Sequence, residues 1–165
     1  MAGKLCYYPD PILKKKCGKV EPGADYKDLI KEMEKVLIEE EGVGLAAPQV
    51  GVDIQLFLMR MDESGKLYEV YFNPEIIEAA NYEMVSESCL SFPGVSIEVE
   101  RARRVKFRAR VPSGKIVEKN VTDLLAQCAQ HEIEHLSGIT LFDNASLSEK
   151  MDINEKLKSF KEKNE

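Results

Sequence analysis

The sequence predicts an α+β fold of mostly antiparallel strands around a central metal-binding helix, with a further helix at the C-terminus. Three observations predict it. Apolar alternation of strand type recurs through the middle of the chain, broken by Pro/Gly turns. Strong helical periodicity is confined to a segment before those strands and two after them. One of the later helices carries two histidines at the spacing that lets both reach one ion. The 165 residues are 44% hydrophobic and 32% charged, which suits one domain with a real core. A single domain over residues 1–165 is therefore expected, with 148–165 as its C-terminal helix.

The elements are justified in order. Tyr7-Tyr8-Pro9-Asp10-Pro11 is expected to be stiff and extended, because each Pro fixes its own φ and restrains the residue before it. Asp25 to Glu41 reads as a helix, with Asp25 and Asp28 serving its N-terminal end. Leu29, Met33, Val36 and Leu37 form its apolar face, and Gly42 and Gly44 end it. Gly44 to Gly51 is too apolar for a surface loop and too broken for a helix. Ile54–Met61 and Leu67–Phe72 read as strands, the second ended by Asn73-Pro74. Glu83–Ser91 and Val95–Glu100 read as strands flanking Pro93-Gly94. Val105–Val111 and Lys115–Val121 alternate around Pro112-Ser113-Gly114 as a hairpin. Thr122–Leu136 is a helix capped by Thr122 and stopped by Gly138. Ser148–Lys163 is the last helix, expected to pack through Met151, Ile153, Leu157 and Phe160.

Composition excludes several classes of function. The 23 Lys+Arg against 29 Asp+Glu give a net charge of −6, which disfavours general DNA or anionic-membrane binding. No apolar run approaches a membrane span, and Met1 to Leu5 has neither a secretory core nor a transit-peptide pattern. The four cysteines, Cys6, Cys17, Cys89 and Cys128, are then expected to be reduced thiols in a cytoplasmic protein, with metal or catalytic roles open to them. The charges at Arg101-Ala102-Arg103-Arg104 read as a solvated strand edge, although an arginine there could steer a peptide carboxylate.

The sharpest local signal is His131-Glu132-Ile133-Glu134-His135. Residues four apart share a helix face, and Glu132 is rotated to touch a water rather than the ion. Leu124, Cys128, His131 and His135 form one stripe. Two imidazoles buried there without a partner would cost roughly 1–3 kcal/mol each, and a metal removes that conflict. Catalytic centres of this kind use three protein ligands, and the chain has only two histidines. The third ligand is a carboxylate or a thiolate. Cys89 stands between a strand and a turn, although a buried apolar role suits it equally. Cys128 lines the floor of a pocket on this reading, and Cys6 and Cys17 are structural.

Three segments together resemble the peptide deformylases: Gly42-Val43-Gly44-Leu45-Ala46-Ala47-Pro48-Gln49-Val50-Gly51, Glu87-Ser88-Cys89-Leu90-Ser91 and His131-Glu132-Ile133-Glu134-His135-Leu136-Ser137-Gly138. The Pro9-Asp10-Pro11-Ile12-Leu13 opening is also similar. The resemblance implies a hydrolase of N-terminal processing in protein biosynthesis, removing formyl from formyl-methionine of nascent chains and releasing formate. It implies one divalent ion, typically Fe2+, with Zn2+, Ni2+ or Co2+ as substitutes, held by Cys89, His131 and His135. Glu132 becomes the general acid/base, and Gln49 and the Leu90 N–H the oxyanion donors. Val43, Gly44, Leu124 and Cys128 would hold the peptide and its methionine. A monomer in transient contact with the ribosome is implied as well, although residues 149–165 carry five Lys and five acidic residues, too balanced to favour RNA docking.

Two positions depart from the family pattern. Ser88 stands where Gly is usual, at a cost of roughly 1 kcal/mol if φ must be positive. Glu134 stands where Asp is usual, facing away from the histidine stripe. Two competing functions follow from the residues. A zinc endopeptidase would take Glu149 or Glu155 as third ligand, and a silent deformylase-like binding protein would follow if Ser88 disturbs the site.

Overall fold

The computed structural model describes residues 4–21, 23–61 and 68–164. Met1 to Gly3, and Leu67 at the start of one expected strand, lie outside the described residues. The order is a 3-10 turn at Pro11–Lys14, α1 (Lys27–Glu39), β1 (Gly44–Ala46), a 3-10 turn at Ala47–Val50, β2 (Leu56–Arg60), β3 (Tyr68–Glu87), β4 (Ile97–Arg110), β5 (Ile116–Thr122), α2 (Asp123–Leu136), α3 (Leu141–Asn144) and α4 (Leu147–Lys163). One antiparallel sheet runs β1-β2-β3-β4-β5. The α+β class is as expected.

The strands are fewer and longer than the sequence suggests. Asn73-Pro74 does not end a strand, because β3 continues from Tyr68 to Glu87. Asn73 absorbs the interruption at φ 50, a conformation Asn tolerates, and the register shifts there. Its side-chain amide is fixed by Val20, receiving the Val20 N–H at 2.8 Å and donating to the Val20 carbonyl at 3.1 Å. The expected strands at Val95 and Val105 are likewise one strand, β4. Its Arg101 is buried rather than solvated, while Arg103 is exposed and paired with Glu83 and Asp123. The 112–114 hairpin forms as expected, with Gly114 at φ 92 and the Val111 N–H bonded to the Lys115 carbonyl.

Three apolar clusters hold the layers together. Phe57, Met59, Tyr71, Val105 and Phe107 from the sheet pack on Ala126, Ala129 and Leu136 of α2. Met33, Val36 and Leu37 of α1 pack on Leu45, Leu56 and Leu58. Ile153 and Leu157 of α4 pack on Phe92, Ile97 and Val99, and Phe160 meets the Tyr7 ring at a tilt. Met151 does not join them; it is exposed, because two residues before Ile153 it lies about 200° around the helix from the buried stripe. Ser146 and Glu149 form a reciprocal cap on α4, two residues before the expected start. Thr122 precedes α2 without a side-chain cap bond. Glu41, at φ 54, rather than a glycine makes the turn after α1, and the 9–14 opening is not extended throughout, since Pro11 starts a turn whose Ile12 N–H is bound by Asp10.

Among the described residues no helix is long and apolar enough to cross a membrane.

Candidate active site

The sheet wraps α2, and a cleft of about 500 Å³ opens where β1, the end of β3 and α2 meet. Nine of the ten residues singled out in the sequence line it: Val43, Gly44, Gln49, Cys89, Leu90, Leu124, Cys128, His131 and Glu132. The tenth, His135, is fully buried beneath it. The apolar stripe of α2 is therefore not uniformly interior. Leu124 is 59% exposed and forms a wall at the mouth of the cleft.

Cys89 follows β3, and His131 and His135 sit one turn apart on α2. Their ligand atoms all lie within 4.8 Å of one another. Cys89 Sγ is 3.3 Å from His135 Nε2, which is 3.1 Å from His131 Nε2. Three Lewis-basic atoms face inward at distances too short for three mutually repelling lone pairs, so the donor set fits a divalent ion. The neighbours prepare it. Glu87 Oε2 is 3.1 Å from His131 Nδ1. Burial opposes charge on Glu87, but hydrogen bonds from His131 and Arg101 outweigh it and hold the carboxyl at about 2. As a carboxylate Glu87 can only accept, so Nδ1 carries the hydrogen and Nε2 presents its lone pair. Burial and neighbouring charges act differently on the two rings. Burial disfavours charge on both. Cys89 and Glu87 reverse this for His131 and raise it well above the usual value, whereas His131 helps to drive His135 well below.

Glu132 is buried, and its Oε1 has no hydrogen-bond partner. Burial raises its carboxyl to about 7, against the opposing pull of His131 and Arg101. A carboxyl poised there can both take and give a proton near neutral pH. Gly44 makes room for it: a Cβ at position 44 would lie 2.6 Å from Cys128 Sγ and 2.8 Å from Glu132 Oε2. Burial raises the Cys128 thiol well above its ordinary value, which suits an inert wall.

Gln49 is 1% exposed, so it is not the solvated loop residue that Pro48 alone would suggest. Its Oε1 accepts from the Ala46 N–H at 2.9 Å. That bond turns Nε2 toward Ser91 Oγ at 3.1 Å and Cys89 Sγ at 3.6 Å. Ser88 is exposed, and it is not among the described residues with positive φ. Its side chain therefore costs no backbone strain, which removes the motive for a silent site. Glu149 is spent on the α4 cap and on the Glu98 N–H, and Glu155 is exposed. Neither belongs to the metal-capable cluster, as the endopeptidase reading would need.

Sequence reasoning missed the support behind the ligands. Arg101 Nε and Nη2 fork onto Glu87 at 2.9 and 2.6 Å. Gln130 accepts from the Ala102 N–H and donates to the Ala102 carbonyl, at 3.0 and 2.8 Å. The one local sign was that Arg101 continues the alternation of Ile97 and Val99.

A soft-donor cation site, a buried base and a peptide-sized cleft are the working parts of a metal-dependent amide hydrolase. The comparisons specify which. The polypeptide deformylase family model matches residues 2–151. The chain is 40% identical to a peptide deformylase of Dictyoglomus thermophilum over 82% of this chain and 88% of the relative. It is 36% identical to one of Chromobacterium violaceum over 97% and 96%. A peptide deformylase structure from Legionella pneumophila superposes with a TM-score of 0.92 at 37% identity, covering 98% of this chain and 96% of that one. Another, from Synechococcus elongatus in complex with actinonin, gives 0.85 at 32% identity over 94% and 86%. The chain belongs to the polypeptide deformylase family, enzymes that use a divalent metal to remove the N-terminal formyl group of nascent polypeptides.

Proposed function

We propose that Cys89, His131 and His135 hold the catalytic ion, Fe2+ in the native protein, and that Glu132, Gln49 and Leu90 carry the reaction. The carrying observation is the inward convergence of one thiol and two imidazoles beside a buried carboxyl whose Oε1 has no partner. When bound, the ion supplies Lewis acidity toward the formyl carbonyl and toward water. Glu132 takes a proton from the attacking water and returns one to the departing amine. Gln49 Nε2 and the Leu90 N–H donate to the oxygen on which charge develops.

The formyl-methionyl chain lies along Val43 and Gly44, with its methionine side chain against Leu124 and Cys128. That Val43, Gly44, Leu124 and Cys128 line the same cleft as Glu132 supports this. Zn2+, Ni2+ or Co2+ fit the same ligands. The described chain acts as one catalytic unit, a cytoplasmic monomer that meets the ribosome transiently; the balanced charge of residues 149–165 argues against a lasting RNA contact. Metal analysis after anaerobic purification, paired with formate release from a formyl-Met peptide, tests the reading. One Fe2+ per chain and robust release are expected, with metal lost in Cys89→Ala and retained in Cys6→Ala and Cys17→Ala. Full metal in Cys89→Ala contradicts it.

A further inference from the structure

Glu134 faces away from the histidine cluster, yet it closes a ring of charged contacts that ends on a histidine. Its Oε1 lies 2.8 Å from Arg101 Nη2. Arg101 forks onto Glu87, and Glu87 Oε2 lies 3.1 Å from His131 Nδ1. Glu134 and His131 are three residues apart on α2, so the ring leaves that helix, crosses β3 and β4, and returns to it. Three of its members are buried: Glu87, Arg101 and His131. Glu134 is the exception, with its side chain 29% exposed. A carboxylate at that exposure is free to exchange its partner for water, unless something holds it.

Asn144 supplies the hold. Its Nδ2 donates to the same Glu134 Oε1 at 3.1 Å. Asn144 is the last residue of α3, and that short helix is fixed in turn by Asp143, which accepts from the Thr140 N–H and hydroxyl at 2.8 and 3.1 Å. We propose that Glu134 and Asn144 are positioning residues for the metal-ligand ring of His131, acting in series through Arg101 and Glu87. This rests on the reading of His131 as a ligand. The guanidinium is a planar fork whose Nη2 is shared between Glu87 and Glu134, so losing the Glu134 acceptor lets it shift and tilt against Glu87. The carboxylate then no longer points a fixed lone pair at Nδ1, and the ring on the other side of that bond loses its orientation.

The test uses Co2+-loaded full-length protein. It reads the visible absorption spectrum and the rate of Co2+ release to a chelator. Asn144→Asp is the main variant: it keeps the volume, cannot donate, and sets a second carboxylate against Glu134. Asn144→Ala gives the same readings without added charge should the aspartate fail to fold. Each, like Glu134→Gln, is expected to alter the spectrum and speed release roughly tenfold, the lower end of what outer-shell partners of a metal ligand command. Combining Asn144→Ala with Glu134→Gln should add little to Glu134→Gln alone. Glu118→Gln, which removes only the exposed pair with Arg108, should change neither reading. A wild-type spectrum and release rate in Asn144→Ala, even with a lowered melting temperature, overturns the proposal and leaves Asn144 merely structural. A wild-type spectrum in His131→Ala overturns the ligand reading beneath it and the proposal with it.

Discussion

Glu87 Oε2 lies 3.1 Å from His131 Nδ1, and this contact sets which nitrogen of the ring is left to bind. It joins the end of β3 to the middle of α2 across the floor of the cleft. Glu87 keeps its charge there because hydrogen bonds from His131 and the buried Arg101 outweigh its burial.

The pair makes Glu87 a contributor to acid stability. The Glu87 carboxyl is held at about 2 in the folded chain, against an ordinary 4.5. A depressed folded value means that the contribution is present above about pH 4.5 and is lost as pH falls through 2. Urea unfolding of metal-free protein across that range should show this loss in the wild type and a flatter profile in Glu87→Gln. At neutral pH Glu87→Gln should be less stable by up to roughly 3–5 kcal/mol, since it leaves the buried Arg101 charge with only the part-exposed Glu134. Equal stability of the two proteins at pH 7 would contradict the geometry.

Gly44 is predicted to tolerate no side chain. A methyl group there would overlap both Cys128 Sγ and Glu132 Oε2, so Gly44→Ala must displace the carboxylate. Formate release should fall at least about 100-fold, on the order of a lost general acid–base group. Metal content should be unchanged. Near-normal turnover would show that Glu132 has room to spare.

For Gln49, the two ends of the amide have separate tasks, one holding the Ala46 N–H and the other pointing to Ser91 and Cys89. Gln49→Glu keeps an acceptor for Ala46 and loses the donor. Its kcat should drop by about 10²–10³, equivalent to roughly 2.7–4 kcal/mol, with the melting temperature changed little. A normal kcat would remove Gln49 from the reaction.

Ser88 is predicted to be neutral. It is exposed and lies outside the positive-φ set, so glycine would release no strain. Ser88→Gly should change the deformylation rate by less than about tenfold, or roughly 1.4 kcal/mol. A silent wild type rescued by Ser88→Gly would reverse that conclusion.

The parts of the molecule that were legible in the sequence are those set by local chemistry. Spacing four on a helix puts His131 and His135 on one face wherever that helix lies, and the Gly-rich segment before Gln49 announces close packing. Contacts between distant strands leave no such mark. Arg101 reads as one of several surface arginines until Glu87 and Glu134 are brought to it from β3 and α2. Asn73-Pro74 reads as a stop until Val20, 53 residues away, satisfies the Asn73 amide and lets β3 run on. The proposed third ligand is undecidable from local sequence for the same reason: Cys89 meets the histidines only through the turn after β3.

The proposed division of labour is tested most directly by Glu132→Gln, with metal content and formate release measured on one preparation. The residue after His131 is rotated about 100° around α2, and Glu132 is not among the three converging ligand atoms. The variant should hold as much metal as the wild type and lose more than about 10²–10⁴-fold in kcat, because one carboxylate serves both proton transfers. Loss of the metal to the extent seen with Cys89→Ala, or a kcat near the wild-type value, would contradict it.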